Sequence, residues 1–450
     1  MSDFNRVAKT INNPEKLAEE YLRHYFNDHV IVYPINPFKM LQDESVVFLM
    51  RDFGHLEGAF IPAANEKDVP MVGINMNRPI TRQRFTAAHE LCHYFRDSEQ
   101  QICPIGSKSA LEKFADCFAS GILMPLGELR SQVKKRAKIE YVEFDDILEI
   151  ADYFGVSFES CVFRIAYFIH AVPGNTEVSE LKKRIRKYKP DIRRRERGFN
   201  NVLLYEGLID SYEIALRFVP NEFARNVFQN DYVYNDSRME GVDIDPETSA
   251  EIVTDIRLSQ KNSKYCSEEN EPFLSIAGQA AIYEHILEFP APAKCSVFDT
   301  VTLNRKLFSY FPYPEFGGQF RQSNTLVLGA KFETIDYAEI VPEMMKVEVK
   351  VKQLYDYRAE HSLSSYIEAT VQLHHELTVI HPFGDGNGRT LRAFLNVMMV
   401  RNGLTPVYIK LEDRGEYLAA LAAADKSADY APLYEFFFRA ILRASVELTR

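Results

Sequence analysis

The most constrained chemical pattern in the sequence lies at residues 381–392, which read His-Pro-Phe-Gly-Asp-Gly-Asn-Gly-Arg-Thr-Leu-Arg. The stretch Gly386, Asn387 and Gly388 can turn its backbone N–H groups toward phosphate oxygens. A helical pattern begins at this stretch, and the positive end of a helix dipole favours bound phosphate. The segment therefore predicts a phosphate site at the N-terminus of a helix.

The charged side chains of the same segment extend this site. Arg389 and Arg392 are three residues apart, so both guanidinium groups face the same phosphate tail. Asp385 is placed to hold Mg²⁺ that bridges phosphates. His381 remains as the acid–base group. The pattern as a whole predicts chemistry on a nucleotide.

Residues 381–392 resemble the Fic motif HPFx(D/E)GNGRxxR and match it at every fixed position. The resemblance extends over about residues 225–440 and implies a protein adenylyltransferase that uses ATP and Mg²⁺. It implies that His381 deprotonates a Ser, Thr or Tyr hydroxyl, which attacks the α-phosphorus of ATP while pyrophosphate leaves. Asp385 would carry Mg²⁺, the glycine loop would bind phosphates, and the two arginines would hold the β and γ phosphates.

Residues 236–241 read Asp-Ser-Arg-Met-Glu-Gly and resemble the Fic inhibitory motif (S/T)xxxE(G/N), with Asp236 in place of Ser or Thr. The resemblance implies that Glu240 pairs with Arg392 and blocks the γ-phosphate position. Glu240 could instead align a water molecule that removes AMP from a modified protein, which would make the domain a deAMPylase. The simplest alternative is an ordinary helix-end Glu before a Gly cap.

A second chemical pattern, His-Glu-Leu-Cys-His, lies at residues 89–93. On a helix, His89 and His93 share one face and can bind one Zn²⁺ ion, and Glu90 is placed to act as general base. Such a zinc site needs a third protein ligand. Residues 71–75, which precede this helix, are interpreted as an edge strand that could hold an extended peptide.

Residues 84–94 resemble the RFTxAHExxH block of the ImmA/IrrE metallopeptidases, and residues 112–125 resemble that family's ExxAxxFA…LLMP helix. The resemblance covers roughly residues 25–170 and implies that Glu112 is the third zinc ligand beside the two histidines. Asp116, one turn later, is either a partner that orients a histidine or a rival third ligand.

The periodicity of the chain predicts a helix-rich α+β protein. A zincin-like metallopeptidase domain with a small sheet comes first, and an all-α Fic domain with a short β-hairpin flap at residues 324–332 follows. Short β-like runs predict strands at residues 29–33, 45–50 and 71–75.

The predicted domain limits are 1–175 for the peptidase domain, 176–224 for a basic helical connector and 225–450 for the Fic domain with its inhibitory helix. The connector is assigned from residues 182–197, which carry ten Lys and Arg against two acidic residues. Such a run is typical of an exposed linker.

The composition of the chain bears on which classes of binding partner and which compartment we expect. A net charge of −11 over 450 residues argues against a nucleic-acid partner. No stretch approaches the roughly 20 apolar residues that span a bilayer, and the first residues lack a signal-peptide core. The six cysteines form no CxxC pair, which is typical of buried thiols in a reducing compartment. We therefore expect a cytoplasmic protein without a membrane partner.

Together these patterns predict a bifunctional enzyme. One half is a zinc-dependent endopeptidase for a regulator or antitoxin-type substrate, and the other is a Fic adenylyltransferase that Glu240 inhibits through Arg392. The expected partners are the protein substrates of both activities, with an antitoxin or repressor among the candidates. The alternative from another class is a regulatory or toxin–antitoxin stress switch in which one site only senses metal or nucleotide.

Overall fold

The computed structural model describes residues 3–27, 29–65, 67–97, 101–104, 109–259, 262–265, 271–288, 293–312, 314–325 and 334–448. The chain divides into two compact units, Met1–Ser211 and Tyr212–Arg450. This division falls inside the segment 176–224 that the sequence assigns to a connector. The predicted domain limits themselves stay a prediction.

The described part of the first unit builds a small sheet and a set of surrounding helices. The strands are β1 (Val47–Arg51), β2 (Leu56–Ile61), β3 (Met71–Asn75) and β4 (Gln101–Pro104). The helices are α1 (Asp3–Ala8), α2 (Pro14–Phe26), α3 (Pro37–Asp43), α4 (Ile80–Arg96), α5 (Ala110–Leu123), α6 (Leu126–Arg136), α7 (Phe144–Phe154), α8 (Phe158–Arg164), α9 (Val178–Tyr188), α10 (Pro190–Glu196) and α11 (Val202–Ser211).

Strand β3 lies inside the sheet, whose order is β1-β3-β2-β4. β1 pairs with β3 in parallel, with Val47 opposite Met71, and β2 pairs with β3 antiparallel, with Gly58 opposite Ile74. The prediction that residues 71–75 form an edge strand is therefore wrong, because neighbouring strands use both sides of β3. β4 continues the sheet beyond β2.

The predicted strand at residues 29–33 is also wrong. Val30 and Val32 are exposed, at 88% and 75%, and the segment pairs with no strand among the described residues. Alternating apolar residues favour a strand only where one face is buried against a core. That condition is met at β1, where Phe48 and Met50 are buried, but it is not met at the two valines.

An aromatic cluster fixes the two helices that carry the peptidase-like motifs. Tyr21 of α2, Phe95 of α4 and Phe118 of α5 are each fully buried, with ring centroids 4.8 Å apart for Tyr21 and Phe95 and 6.4 Å for Phe95 and Phe118. Burying a phenylalanine ring contributes about 1.5–3 kcal/mol. Because Phe95 lies on α4 and Phe118 lies on α5, this packing helps to set the spacing between the two helices.

The basic run at residues 182–197 is folded as α9 and α10 and pairs with acidic residues of α7. Arg194 lies 3.0 Å from Asp152, and Arg197 lies 3.0 Å from Asp145. These contacts lie inside the first unit, and the role of residues 176–224 as a helical connector stays a prediction.

In its described residues the second unit is built from helices and contains no named strand. These helices are α12 (Glu222–Val227), α13 (Val233–Met239), α14 (Pro246–Ser259), α15 (Glu271–Leu287), α16 (Asp299–Leu307), α17 (Ile340–Glu360), α18 (Leu363–Ile380), α19 (Asn387–Arg401), α20 (Arg414–Ser427) and α21 (Ala431–Glu447). The predicted flap at residues 324–332 falls almost wholly outside the described residues. The helix-rich α+β class is confirmed.

Helices α18 and α19 form the centre of the second unit and hold the loop between them. α18 begins at the side-chain cap of Ser362 and ends before His381, which takes a left-handed backbone conformation with φ 49°. α19 begins after Gly386, which has φ 72°, and nearly all of its side chains are buried. Among the described residues, no helix combines the length and the apolar character that a bilayer crossing requires.

Candidate metal and nucleotide sites

Helix α4 brings two histidine rings to one buried point. His89 and His93 lie four residues apart, and their Nε2 atoms are 3.1 Å from each other. Their side chains are only 7% and 1% exposed. Two ring nitrogens that converge in a buried place are suited to share one cation.

Helix α5 supplies a carboxylate to the same point. The backbone N–H of Glu112 donates to the Ser109 side chain, which starts the helix. The Oε2 atom of Glu112 lies 3.3 Å from Nε2 of His89, and the Oε1 atom of Glu112 lies 3.6 Å from Nε2 of His93. The three side chains offer one ligand atom each within 4.8 Å of one another, so two nitrogens and one oxygen fit the usual donor set of Zn²⁺.

Asp116 contacts the other edge of the His89 ring. Its Oδ1 lies 3.0 Å from Nδ1 of His89, on the side opposite the Nε2 that faces Glu112. A carboxylate on Nδ1 fixes the orientation of a ligand histidine and leaves its Nε2 free. Of the two roles that the sequence leaves open for Asp116, this geometry favours the orienting one, with Glu112 as third ligand.

Asp97 plays the matching part for His93, and the sequence analysis missed it. Its Oδ2 lies 2.5 Å from Nδ1 of His93, and it occupies the first position after α4. Residues four apart on a helix are neighbours. The Asp that follows the second His of the motif by four residues could therefore have been predicted to contact that His.

Glu90 is fully buried beneath the sheet. A Cβ atom at Gly58 of β2 would lie 2.7 Å from Glu90 Oε1 and 2.5 Å from the Thr86 side chain. Gly58 therefore leaves room for the Glu90 carboxylate beneath β2.

Acidic groups dominate the electrostatics of this cluster. Burial alone would lower the pKa of His89, but Asp116 and Glu112 outweigh it and raise that pKa to about 9. The hydrogen bond from His89 holds the pKa of Glu112 below its usual range, against the effect of burial. The surroundings thus favour positive charge at the point where the donor atoms converge, as a metal site requires.

In the second unit, the loop before α19 is closed by its own side chains. Asn387 accepts from the backbone N–H of Phe383 at 2.9 Å and donates to the carbonyl of the same residue at 2.7 Å. Its amide is therefore used to shape the loop, and it presents only backbone to a phosphate. Gly386 approaches Leu307 so closely that a Cβ would lie 2.5 Å from its side chain.

Asn304 of α16 holds the loop from outside. Its amide donates to the carbonyl of Asp385 at 3.1 Å and to the hydroxyl of Thr390 at 3.2 Å, and its carbonyl accepts from the N–H of Gly318 at 2.8 Å. One neutral side chain thus joins the loop, the start of α19 and a neighbouring turn.

His381 is partly buried at the start of the loop. Burial lowers its pKa, and the positive charge of Arg321 acts in the same direction. A histidine with a lowered pKa is neutral near pH 7 and can accept a proton. His374 and His375 of α18 contact Tyr417 and Asp425 respectively, each at 2.8 Å.

Arg321 connects His381 to the backbone around it. Its Nε donates to the carbonyl of His381 at 2.9 Å, and its two Nη atoms donate to the carbonyls of Ser323 and Ile335. The sequence analysis gave Arg321 no role in the site. A single arginine with several carbonyl acceptors has no linear sequence signal, because its partners come from distant positions.

Asp385 and Arg389 occupy the two sides of the loop. The Asp385 side chain is 64% exposed, and its Oδ1 accepts from the N–H of Gly386 at 2.6 Å. Arg389 donates to the hydroxyl of Ser275 and lies 3.8 Å from Asp385. An exposed carboxylate beside a glycine loop is placed for Mg²⁺, and a buried guanidinium is placed for phosphate.

Arg392 is held between two carboxylates. Its Nε donates to Asp236 at 2.6 Å, and its Nη2 donates to Glu240 at 2.7 Å. Burial alone would lower the pKa of Arg392, but the two acids raise it well above the ordinary value. Loss of hydration would raise the pKa of Glu240, but Arg392 and Arg389 outweigh it and keep the carboxyl ionised.

The Glu240 carboxylate also touches the glycine loop. A Cβ atom at Gly388 would lie 2.8 Å from Glu240 Oε1 and 2.8 Å from Arg392 Nη1. A carboxylate oxygen thus sits where the loop and the arginine meet, which shows that this place accepts an anion. The second unit therefore has the features of an anion-binding helix–loop–helix with a neutral histidine at its edge.

Two parts of the chain match known protein families. Residues 42–166 match the profile of the IrrE N-terminal-like domain, and residues 295–399 match that of the Fic/DOC family. The two resemblances drawn from the sequence are therefore confirmed, in the predicted order along one chain.

Several curated proteins are similar to part of this chain. Protein adenylyltransferase fic-1 of Caenorhabditis elegans is 40% identical over 78 residues, which are 17% of this chain and 15% of that protein. Protein adenylyltransferase Fic of Nematostella vectensis is 27% identical over 144 residues, which are 32% of each chain. The similarity thus spans less than a third of the length of these relatives.

Solved structures show partial similarity. A Fic-domain-containing signalling protein of Bacteroides thetaiotaomicron aligns over 54% of this chain and 96% of that chain, with a TM-score of 0.44 and 18% identity. A fragment of fic-1 from Caenorhabditis elegans aligns over 72% of this chain and 95% of that chain, with a TM-score of 0.40 and 18% identity.

Proposed function

We propose that the second unit is a protein adenylyltransferase that moves AMP from ATP to a Ser, Thr or Tyr hydroxyl, and that Glu240 inhibits it. The observation that carries the proposal is the position of the Glu240 carboxylate, in contact with both Gly388 and Arg392 beside His381. An anion already occupies the place where a nucleotide phosphate would bind. The similarity of residues 295–399 to the Fic/DOC family supports this interpretation.

The transfer follows from the protonation state of His381. As a neutral ring it accepts the proton of the target hydroxyl, and the resulting oxygen attacks the α-phosphorus of ATP. A new phosphorus–oxygen bond forms to the target, the bond to the β-phosphate oxygen breaks, and pyrophosphate leaves with the electron pair. The exposed Asp385 would hold Mg²⁺, which supplies positive charge to the phosphates when it is bound.

The phosphate tail is stabilised by groups already fixed in the fold. Backbone N–H groups at the start of α19 and the guanidinium of Arg389 face the loop, and Arg392 supplies a second guanidinium one turn later. Glu240 competes with the γ-phosphate for Arg392. ATP that binds while Glu240 is in place loses this contact and its in-line geometry, so transfer is slow.

We propose further that the first unit is a zinc endopeptidase. His89, His93 and Glu112 would hold Zn²⁺, which when bound polarises a peptide carbonyl. Asp116 and Asp97 orient the two rings through their Nδ1 atoms. Glu90, beside the histidines and fully buried, takes the proton from the attacking water. The substrates of the two activities are proposed to be proteins, and a repressor or antitoxin is the proposed target of cleavage.

The adenylyltransferase is tested with the full chain, ATP and Mg²⁺, followed by intact mass. Glu240→Gly is expected to gain AMP on its own hydroxyls far faster than wild type, and Glu240→Gly combined with His381→Ala is expected to gain none. Glu360→Gly, at an exposed position of α17, is the matched control and should behave as wild type. No gain in Glu240→Gly, even with a mixture of cell proteins present, would refute the adenylyltransferase proposal.

Removal of AMP is the competing role of Glu240, and the same material tests it. AMP-modified protein from the Glu240→Gly reaction is mixed with unlabelled wild-type chain. Stable modification supports inhibition as the role of Glu240. Loss of AMP with wild type, but not with a Glu240→Gly chain, would assign Glu240 to removal.

The peptidase is tested by mass spectrometry of new N-termini. Wild-type, zinc-loaded chain is mixed with a proteome-derived peptide library, and Glu90→Gln is the matched control because it keeps the size and burial of the side chain. New N-termini are expected with wild type only. Equal peptide patterns from both chains would refute cleavage by this site.

A further inference from the structure

Asp236 is a buried acid at the position where the inhibitory motif of the resemblance has Ser or Thr. Its side chain is 6% exposed, and the Arg392 side chain that it contacts is 10% exposed. The two are joined through Asp236 Oδ1 and Arg392 Nε at 2.6 Å. A serine hydroxyl at this position would be shorter and uncharged, so the contact is a property of this chain.

The second oxygen of Asp236 is fully used by α15. Oδ2 accepts from Gln279 Nε2 at 2.7 Å and from the Tyr283 hydroxyl at 2.6 Å. Burial raises the pKa of Tyr283 well above its ordinary value, and Asp236 adds to this, so the hydroxyl keeps its proton and donates. A buried carboxylate with three donors is well satisfied and has a fixed orientation.

This arrangement fixes one edge of the Arg392 guanidinium and turns the other edge toward Glu240 and the glycine loop. Nε is bound to Asp236, while Nη2 contacts Glu240 and Nη1 lies next to Gly388. A guanidinium can rotate about its side-chain bonds unless one of its donors is fixed. Here the donor nearest the chain is fixed by Asp236, and the Nη edge points at the glycine loop.

We propose that Asp236 is a positioning residue that aims the Nη edge of Arg392 at the γ-phosphate position. The inference rests on the proposed adenylyltransferase function, in which Arg392 binds that phosphate. With Glu240 in place, the aimed arginine holds the inhibitory carboxylate. When Glu240 is displaced, Arg392 already has the orientation that binds ATP, so no conformational entropy is lost in ordering its side chain.

The net charge of the Asp236–Arg392 pair distinguishes two ways in which Arg392 could bind the γ-phosphate: by its orientation or by electrostatic attraction alone. Asp236 neutralises Arg392, so the pair offers a phosphate little net positive charge. Affinity for the γ-phosphate must then come from two correctly placed N–H donors, which makes it depend on orientation. A nucleotide without a γ-phosphate does not use this edge and should be insensitive to Asp236.

The test compares ATP with ADP in the uninhibited chain. Equilibrium binding of each nucleotide is measured by calorimetry with Mg²⁺ for Glu240→Gly, for Glu240→Gly with Asp236→Ser, and for Glu240→Gly with Asp236→Asn. Loss of a charge-assisted hydrogen bond is expected to weaken ATP binding about tenfold in the Ser variant. The Asn variant keeps an acceptor for Arg392, so its ATP affinity should lie between those of the Ser variant and of Glu240→Gly alone. ADP affinity should change less than about twofold in both Asp236 variants.

The outcomes separate this inference from the function on which it rests. Equal loss for ATP and ADP would mean a general structural role for Asp236 and would overturn the proposal, as would unchanged ATP binding. Absence of ATP binding in Glu240→Gly itself would refute the nucleotide site, and this inference with it. If the Ser variant fails to fold in a thermal unfolding scan, the ATP-to-ADP comparison in the Asn variant decides.

Discussion

Glu240 and Arg392 form an asymmetric pair. The Glu240 side chain is 32% exposed while that of Arg392 is 10% exposed, and a bond of 2.7 Å joins them. Arg392 has a second acid, Asp236, on its inner side, whereas Glu240 has solvent on its outer side. The arginine is therefore the fixed member of the pair, and the glutamate is the member that can leave.

The substitution Glu240→Gln should relieve the proposed inhibition only in part. The amide keeps the shape of the side chain but replaces a charge-assisted bond by a neutral one, which is roughly half as strong. We expect self-labelling with AMP to be roughly tenfold faster than in wild type, because a loss on the order of 1–2 kcal/mol is involved. Glu240→Gly should be faster still. A Gln variant as slow as wild type would show that charge does not hold the contact.

The pH dependence of transfer should follow His381. Burial lowers its pKa below the ordinary value of 6.5, so the neutral base persists as the pH falls. In the Glu240→Gly chain, the acid limb of kcat should therefore have its midpoint below 6.5. The measurement is the initial rate of AMP transfer between about pH 5 and pH 8, the range in which histidine titrates. A midpoint above 6.5 would contradict the neutral-base assignment.

Zinc binding should separate the roles of Glu112 and Asp116. Glu112→Ala removes a ligand, and tight binding of one zinc ion per chain should be lost. Asp116→Asn only weakens the orientation of His89, so affinity should fall about 10–100-fold. Competition with a chromophoric chelator measures both, and Glu140→Gln, at an exposed position, is the control. Loss of zinc in Asp116→Asn with retention in Glu112→Ala would reverse the ligand assignment.

Gly58→Ala should destabilise the first unit. The added Cβ would lie 2.5 Å from Thr86 Cγ2, 2.7 Å from Glu90 Oε1 and 2.9 Å from the Gly73 carbonyl. Overpacking of this kind costs about 1–3 kcal/mol, which lowers Tm by roughly 2–10 °C for a unit of this size. Gly127→Ala is the control, because nothing lies within 4 Å of its added Cβ. Equal Tm values for the two variants would show that β2 and α4 separate easily.

The sequence predicted the local parts of both sites because those parts are contiguous. His89, Glu90 and His93 lie on one helical turn, and a helix of known geometry brings the two histidines together. The loop at residues 381–388 likewise carries its own shape, since Gly386 and Asn387 act on neighbours in the chain. Helix and loop geometry alone were sufficient for these assignments.

The parts that the sequence did not predict depend on packing between distant segments. Strand β2 was missed, and β3 was wrongly placed at an edge, because pairing partners are chosen by the whole sheet. Asn304 was given no role from the sequence, although it joins three backbone or hydroxyl groups around the loop. Asp236 was noticed as an irregular residue, and its contact with Arg392 spans 156 positions.

Glu240 occupies the first position beyond α13, a helix of seven residues, and the next residue, Gly241, has φ 88°. Helix ends fray more readily than helix centres, and helix–coil relaxation takes about 0.1–1 μs. Under the proposed inhibition, the contact between Glu240 and Arg392 opens when the end of α13 frays. An activator that captures the frayed end would then convert a brief basal leak into sustained activity.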